Sequence, residues 1–127
     1  MQRDSVDRRR FIRVEFPFTI HIYQSKQLAI SAYTEDISEG GVKVTIKESL
    51  PVGAAVELEV YVHEKPIVCK GKIIWLQQRA SNYFEDEKFF DTGIEFQQLA
   101  KNDQEVIGHH VQIIQKMRKD SVPRDAQ

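Results

Sequence analysis

Cysteine is almost missing from this chain: Cys69 is the single one among 127 residues. A lone thiol closes no internal disulfide and supplies no thiolate cluster for a metal. In a strand-like run it reads as a small buried apolar residue rather than a reactive group. Long hydrophobic runs are missing as well, and no stretch approaches the roughly 20 apolar residues of a membrane span. The N-terminal residues hold no apolar signal core. The expectation is a cytoplasmic protein without membrane insertion. Neither sign of charge dominates, with 18 Lys and Arg against 19 Asp and Glu and a net charge of −1. That balance excludes a general polyanion binder. No serine or cysteine has a recognisable base and no Walker-type loop occurs, so the chain is not expected to be an enzyme and no catalytic residue is assigned. His21, His63, His109 and His110 show no ligand spacing with acids or with Cys69. No metal and no cofactor is expected.

What is present fits one folded domain. A hydrophobic content of 41% and a charged content of 29% are ordinary for a globular protein, and 127 residues suffice to bury a core without disulfides. From Val14 onward the pattern has period two. Phe16, Phe18, Ile20 and Ile22 alternate with polar residues, the signature of a half-buried strand. Pro17 cannot donate to a ladder, so an edge or a bulge is expected there. Further strands are expected over 28–34, from Val42 to Ile46, from Val56 to Val62, over 67–76 and over 89–96. The apolar cluster Ile73, Ile74, Trp75 and Leu76 predicts a strand covered on both faces. The polar stretch 77–87 reads as a hairpin loop. Val106, Ile107, His110, Val111, Ile114 and Met117 recur at helical spacing, which predicts an amphipathic helix over about 102–118. Six short strands and one helix point to a mainly β fold, a six-stranded antiparallel β-barrel with a C-terminal α-helix over one end or face. The division expected is an arginine-rich arm over 1–13, the barrel and helix over 14–118, and a polar tail over 119–127.

Charge is unevenly placed. Residues 1–13 hold five arginines against Asp4 and Asp7, a local +3 that leaves −4 for the remainder. Arg8, Arg9, Arg10 and Arg13 stand just before the first strand. An arginine fork can clamp a phosphate or read the O6 and N7 edge of guanine. Further on, Asp36, Ser38, Gly40 and Gly41 supply a carboxylate acceptor, a hydroxyl and a flexible turn in the pattern Asp-x-Ser-x-x-Gly. The two glycines permit backbone angles closed to other residues. Each stretch has a plainer reading, a solvated basic arm and a self-bonded turn. Together and at this separation they are complementary parts of a nucleotide site.

Arg-x-x-x-Arg at Arg9 and Arg13, followed by Asp-x-Ser-x-x-Gly at Asp36, Ser38 and Gly41, resembles the PilZ domain family, which binds the bacterial second messenger cyclic di-GMP. The likeness extends over the arm, the strands, the late Gly93-Ile94-Glu95-Phe96 segment and the C-terminal helix. It implies a messenger receptor that transmits a signal to a protein partner. In that reading Arg9 and Arg13 grip the ligand, Asp36 accepts from guanine N1–H and N2–H, Ser38 serves a phosphate or the turn, and Gly40 and Gly41 let the backbone approach. The arm would order as a clamp across the barrel mouth. Arg8 implies a stacked, intercalated pair of messenger molecules. Trp75 is either a wall of the site or a core residue. Two alternatives stand behind this reading. One is a messenger-independent adaptor of the same fold. The other is a barrel for single-stranded nucleic acid, which the confinement of basic charge to the arm disfavours, so no nucleic acid is expected.

Overall fold

The computed structural model describes residues 11–24, 28–80 and 87–120. Arg8, Arg9 and Arg10 and the tail beyond 120 lie outside the described residues. Among the described residues there are seven strands and one helix: β1 (Val14–Glu15), β2 (Thr19–Gln24), β3 (Leu28–Ser38), β4 (Gly41–Ile46), β5 (Ala55–Tyr61), β6 (Ile67–Ala80), β7 (Lys88–Gln97) and α1 (Lys101–Asp120).

All pairings are antiparallel, and the order β3-β2-β5-β6-β7-β4 closes on itself through β3–β4. This is the six-stranded barrel with a C-terminal helix that the alternation predicts. Closure follows from burial: Ile20, Ile22, Ile37, Val44, Leu58, Val60, Ile73 and Ile94 all point inward, and a ring gives every such strand a partner on both edges. β1 is a short extra strand on the far end of β3, pairing Val14 with Ile37 and Glu15 with Asp36.

Pro17 explains why β1 and β2 are separate. Phe16 to Phe18 leave the ladder, and Thr34 of β3 repairs the break. Its hydroxyl donates to the Phe16 carbonyl at 2.6 Å and accepts from the Phe18 amide at 2.9 Å. Thr34 is buried, so the latch satisfies polar groups that the interruption would leave unpaired.

Three expectations are corrected. Residues 77–80 are not loop but strand, pairing Gln77 with Asp91 through Ala80 with Lys88. Polar side chains are no obstacle there because that end of β6 faces solvent. Nor is β6 covered on both faces near Trp75: a bulge between Ile73 and Trp75 leaves Ile73 inside while Ile74 and Trp75 are 45% and 38% exposed. A bulge re-aims side chains in this way. Finally, β3 continues through Asp36 and Ser38, with a bulge between Thr34 and Asp36, and only 39–40 form the turn.

Helix α1 closes one barrel end. Ile107, Val111 and Ile114 join the core, while His110 meets the Phe18 and His63 rings at 6.3 and 5.8 Å. Val106 packs against that core, whereas Ile113 and Met117 stay outside, 40% and 56% exposed. None of the described helices is long and apolar enough to cross a membrane.

Candidate functional site

The second sequence motif begins on β3 and ends on β4. Ile37 points into the core, so its neighbours Asp36 and Ser38 are turned away from it, Asp36 partly exposed and Ser38 still buried. The register then fixes what stands beside Asp36. Across the sheet it pairs with Glu15 on one side and Lys43 on the other. Lys43 pairs with Gly93, and Gly93 with Trp75. The row Glu15, Asp36, Lys43, Gly93, Trp75 therefore crosses five strands on one outer face, because directly paired residues share a face. Asp36, Lys43 and Trp75 lie on this outer face and not at the barrel mouth, while the expected clamp rests on Arg8, Arg9 and Arg10, which lie outside the described residues. That mouth is closed by α1 at one end, and the interior is filled by aliphatic side chains.

Strand β1 brings the two motifs together. With Val14 buried opposite Ile37, Arg13 is held beside the motif on β3, and its Nε lies 3.7 Å from Asp36 Oδ1. The Asp36 side chain is only 17% exposed and that of Arg13 is 56% exposed. Burial pushes the Asp36 carboxyl above its ordinary value, Arg13 and Lys43 pull it partly back, and Glu35 and Glu15 add to the rise. The result is a half-buried carboxylate with one guanidinium at its side.

Ser38 is 7% exposed, and its Oγ accepts the Gly40 amide at 3.0 Å. Its role in the chain is to hold the turn, and its own proton remains to be donated. The glycines act differently from expectation. Neither Gly40 nor Gly41 has a positive φ; among the described glycines that is true of Gly53. What Gly41 supplies is space, since a Cβ there would collide with the Ile94 carbonyl oxygen of β7. A Cβ on Gly40 would press on the Phe11 ring at 3.0 Å, so the end of the arm packs on the turn. Behind the turn, Glu39 reaches the other way and accepts from Gln104 Nε2 of α1 at 3.2 Å.

Trp75 lies on the surface, not in the core. Its indole occupies the place where a side chain of Gly93 would be, flat against β7 in the same row as Asp36. An open groove of about 930 Å³ runs beside the row, taking in Phe16, Pro17, Tyr33, Asp36, Lys43 and Phe89. Glu35 and Thr45 of its lining belong to a charged network. The Thr45 hydroxyl sits between Glu35 and Asp91, 2.7 Å from the latter. Arg79 meets Asp91 at 3.3 Å and Glu35 at 3.6 Å.

The structure thus brings together Arg13, Asp36, Ser38, Gly40 and Gly41, with Trp75 three strands from Asp36. Thr34, Lys43 and Gly93 were not singled out in the sequence. Gly93 was visible as part of a glycine-containing strand, but its service as a seat for Trp75 depends on register. Lys43 had no local signal at all. The outward face of this sheet can offer a carboxylate acceptor, a guanidinium, a hydroxyl and an aromatic plane to one flat, anionic ligand.

A family model of the PilZ domain matches residues 7–112. The chain belongs to the PilZ domain family. Solved PilZ structures share its fold. The PilZ domain of YcgR from Escherichia coli, with c-di-GMP, superposes with a TM-score of 0.68 at 15% identity, over 91% of this chain and 99% of that one. The Bacillus subtilis inhibitor of motility MotI/DgrA gives 0.69 at 19% identity, covering 87% of this chain and 52% of its own. The K. pneumonia MrkH complex with c-di-GMP gives 0.67 at 18% identity, over 87% and 55%. At such identities the likeness is one of fold. The chain spans about half the length of MotI/DgrA and of MrkH. No curated protein matches it in sequence.

Proposed function

We propose that this PilZ domain is a receptor for cyclic di-GMP, which it takes on the outer face across β3, β4, β7 and β6. The observation that carries the reading is the meeting of the two motifs: Arg13 from the arm and Asp36 from β3 stand 3.7 Å apart beside the Ser38–Gly41 turn. Asp36 accepts from guanine N1–H and N2–H, a pairing adenine cannot offer. Arg13, joined by Arg8, Arg9 and Arg10 of the arm, donates to phosphates and to the guanine O6 and N7 edge. Trp75 gives a base a plane to lie against. A second messenger molecule, intercalated with the first, stacks on the Arg8 guanidinium. The arm closes over the ligand and presents a changed surface to a protein partner. No cofactor or catalytic step belongs to this reading.

Calorimetric titration with cyclic di-GMP, cyclic di-AMP and GTP tests it. One guanine-specific carboxylate contact discriminates by roughly 1–3 kcal/mol, so cyclic di-GMP should bind about tenfold or more tighter than cyclic di-AMP. Equal affinity for the two, or no heat with either, refutes the reading. A stoichiometry of two per chain supports the intercalated pair, and a value of one removes it.

A further inference from the structure

We infer that Lys43, outside both sequence motifs, is a phosphate-binding residue of this same site, and that Glu35 holds it back in the free protein. The inference rests on the messenger reading above and deepens it.

Position comes first. Adjacent strands lie about 4.8 Å apart, so Asp36 and Trp75, three strands apart in one row, are separated by about 14 Å. A ligand that reaches from the Asp36 carboxylate towards the Trp75 plane passes over what lies between them. That is Lys43 and Gly93. Gly93 has no side chain, and the Trp75 indole fills its place. Lys43 is therefore the side chain beneath the middle of the ligand. In a cyclic dinucleotide with a guanine at each end, the middle is the phosphate ring.

Charge comes second. The ligand brings two negative charges onto a face that already holds Glu15, Glu35, Asp36 and Asp91. Among the described cations near the row, Arg13 is engaged with Asp36 at 3.7 Å. Arg79 is fixed between Asp91 at 3.3 Å and Glu35 at 3.6 Å. Lys72 lies in the neighbouring row, opposite Glu95, and Arg118 of α1 donates to the Glu15 carbonyl at the β1 end of the row, on the far side of Asp36 from Trp75. Lys43 alone of these stands in the row between the two ends of the ligand. Its side chain is 32% exposed, and its Nζ meets Glu35 Oε1 at 3.2 Å.

The Glu35 pairing is one that Lys43 can leave. Glu35 keeps Thr45 and Arg79 when Lys43 departs, so no carboxylate is stranded. A half-exposed ion pair is worth little. A phosphate contact formed under a bound ligand is a charge-assisted bond in a site from which water is largely excluded, and it is stronger. The four-carbon lysine stem has the reach and freedom to swing from one anion to the other.

The test is calorimetric titration with cyclic di-GMP at two ionic strengths, on the wild-type chain and on Lys43→Met, Lys43→Arg, Glu35→Gln, the Lys43→Met Glu35→Gln double variant and Arg13→Ala. Lys43→Met should weaken binding about tenfold or more and flatten its salt dependence. Lys43→Arg should restore most of the affinity. Glu35→Gln should tighten binding by about threefold, since the competing pair is gone, and by clearly less in the Lys43→Met background, where only a repelling charge is lost; an equal gain in both backgrounds removes the restraint. If the wild-type chain binds and Arg13→Ala loses that binding while Lys43→Met stays within twofold with the same salt slope, the inference is overturned and the messenger reading stands. Equal or weaker binding by Glu35→Gln removes the restraint by Glu35. If the wild-type chain shows no binding at all, both are overturned.

Discussion

Replacing Asp36 should separate binding from stability. Its carboxylate is the proposed acceptor for two guanine donors. Removal leaves those donors facing an apolar methyl in Asp36→Ala, or an amide donor in one orientation of Asp36→Asn. Losing such a contact costs roughly 1–3 kcal/mol, about one to two decades in Kd. The effect on the fold has the other sign. Burial raises the Asp36 pKa in the folded chain, so folding favours the protonated form. That contribution is fully present below the unfolded value and is lost as pH rises through the folded one. At neutral pH the charge on Asp36 therefore works against the fold, and among the described residues the Arg13 contact at 3.7 Å and Lys43 partly offset it. Asp36→Asn should leave Tm unchanged or raise it while binding falls. In the wild-type chain, binding should weaken as pH drops below the raised Asp36 value, and in Asp36→Asn that part of the pH profile should vanish. Thermal denaturation and calorimetric titration between pH 4 and pH 8 read both quantities. A Kd that does not move, or a Tm that falls along with it, refutes the reasoning and makes Asp36 a structural residue of β3.

Other substitutions probe single contacts. Gly41→Ala places a methyl group against the Ile94 carbonyl and should cost about 1–3 kcal/mol of stability; an unchanged urea midpoint contradicts the close approach of β4 and β7. Gly93→Ala should expel the indole of Trp75, the single tryptophan, and shift its fluorescence to the red, whereas an unaltered spectrum means the ring is seated elsewhere. Burial pushes the Cys69 thiol up to about 11, so a thiol reagent at neutral pH should react with the native chain far more slowly than with the unfolded one; comparable rates exclude a core position. Arg13→Lys should recover little of the binding lost in Arg13→Ala, because an ammonium lacks the fork, and full recovery in titration shows that charge alone suffices.

The barrel was legible because its core faces one way. Each strand that alternates in sequence alternates in burial, as in β4, where Val42, Val44 and Ile46 are buried and the residues between them are not. The helix was legible for the same reason, through Ile107, Val111 and Ile114. What misled was local composition standing in for exposure. Three polar residues and an alanine at 77–80 look like loop, yet an outer strand end needs no large apolar side chain. Four apolar ones at 73–76 look like a doubly covered strand, yet a one-residue bulge sends Ile74 and Trp75 outward. Thr34 could not have been picked out, since its role is set by a proline 17 residues earlier and a carbonyl across the sheet.

The site was legible in its residue types and not in its composition as a surface. Arg13, Asp36 and Ser38 announce themselves because their spacing is local to the arm and to one turn. Lys43 and Gly93 join them only through register, and register couples positions 36, 43, 93 and 75 that no sequence window holds together. The same consideration places Asp36 on the wall of the barrel and not in its mouth. Alternation forces Asp36 outward once Ile37 is inward, and the interior has no room left once both ends of the pattern are apolar. A carboxylate placed two residues before a turn serine, on a strand whose intervening residue is a core isoleucine, is an outer-face carboxylate. Its partners must then be sought on the outward positions of the neighbouring strands, and those are Lys43, Gly93 and Trp75.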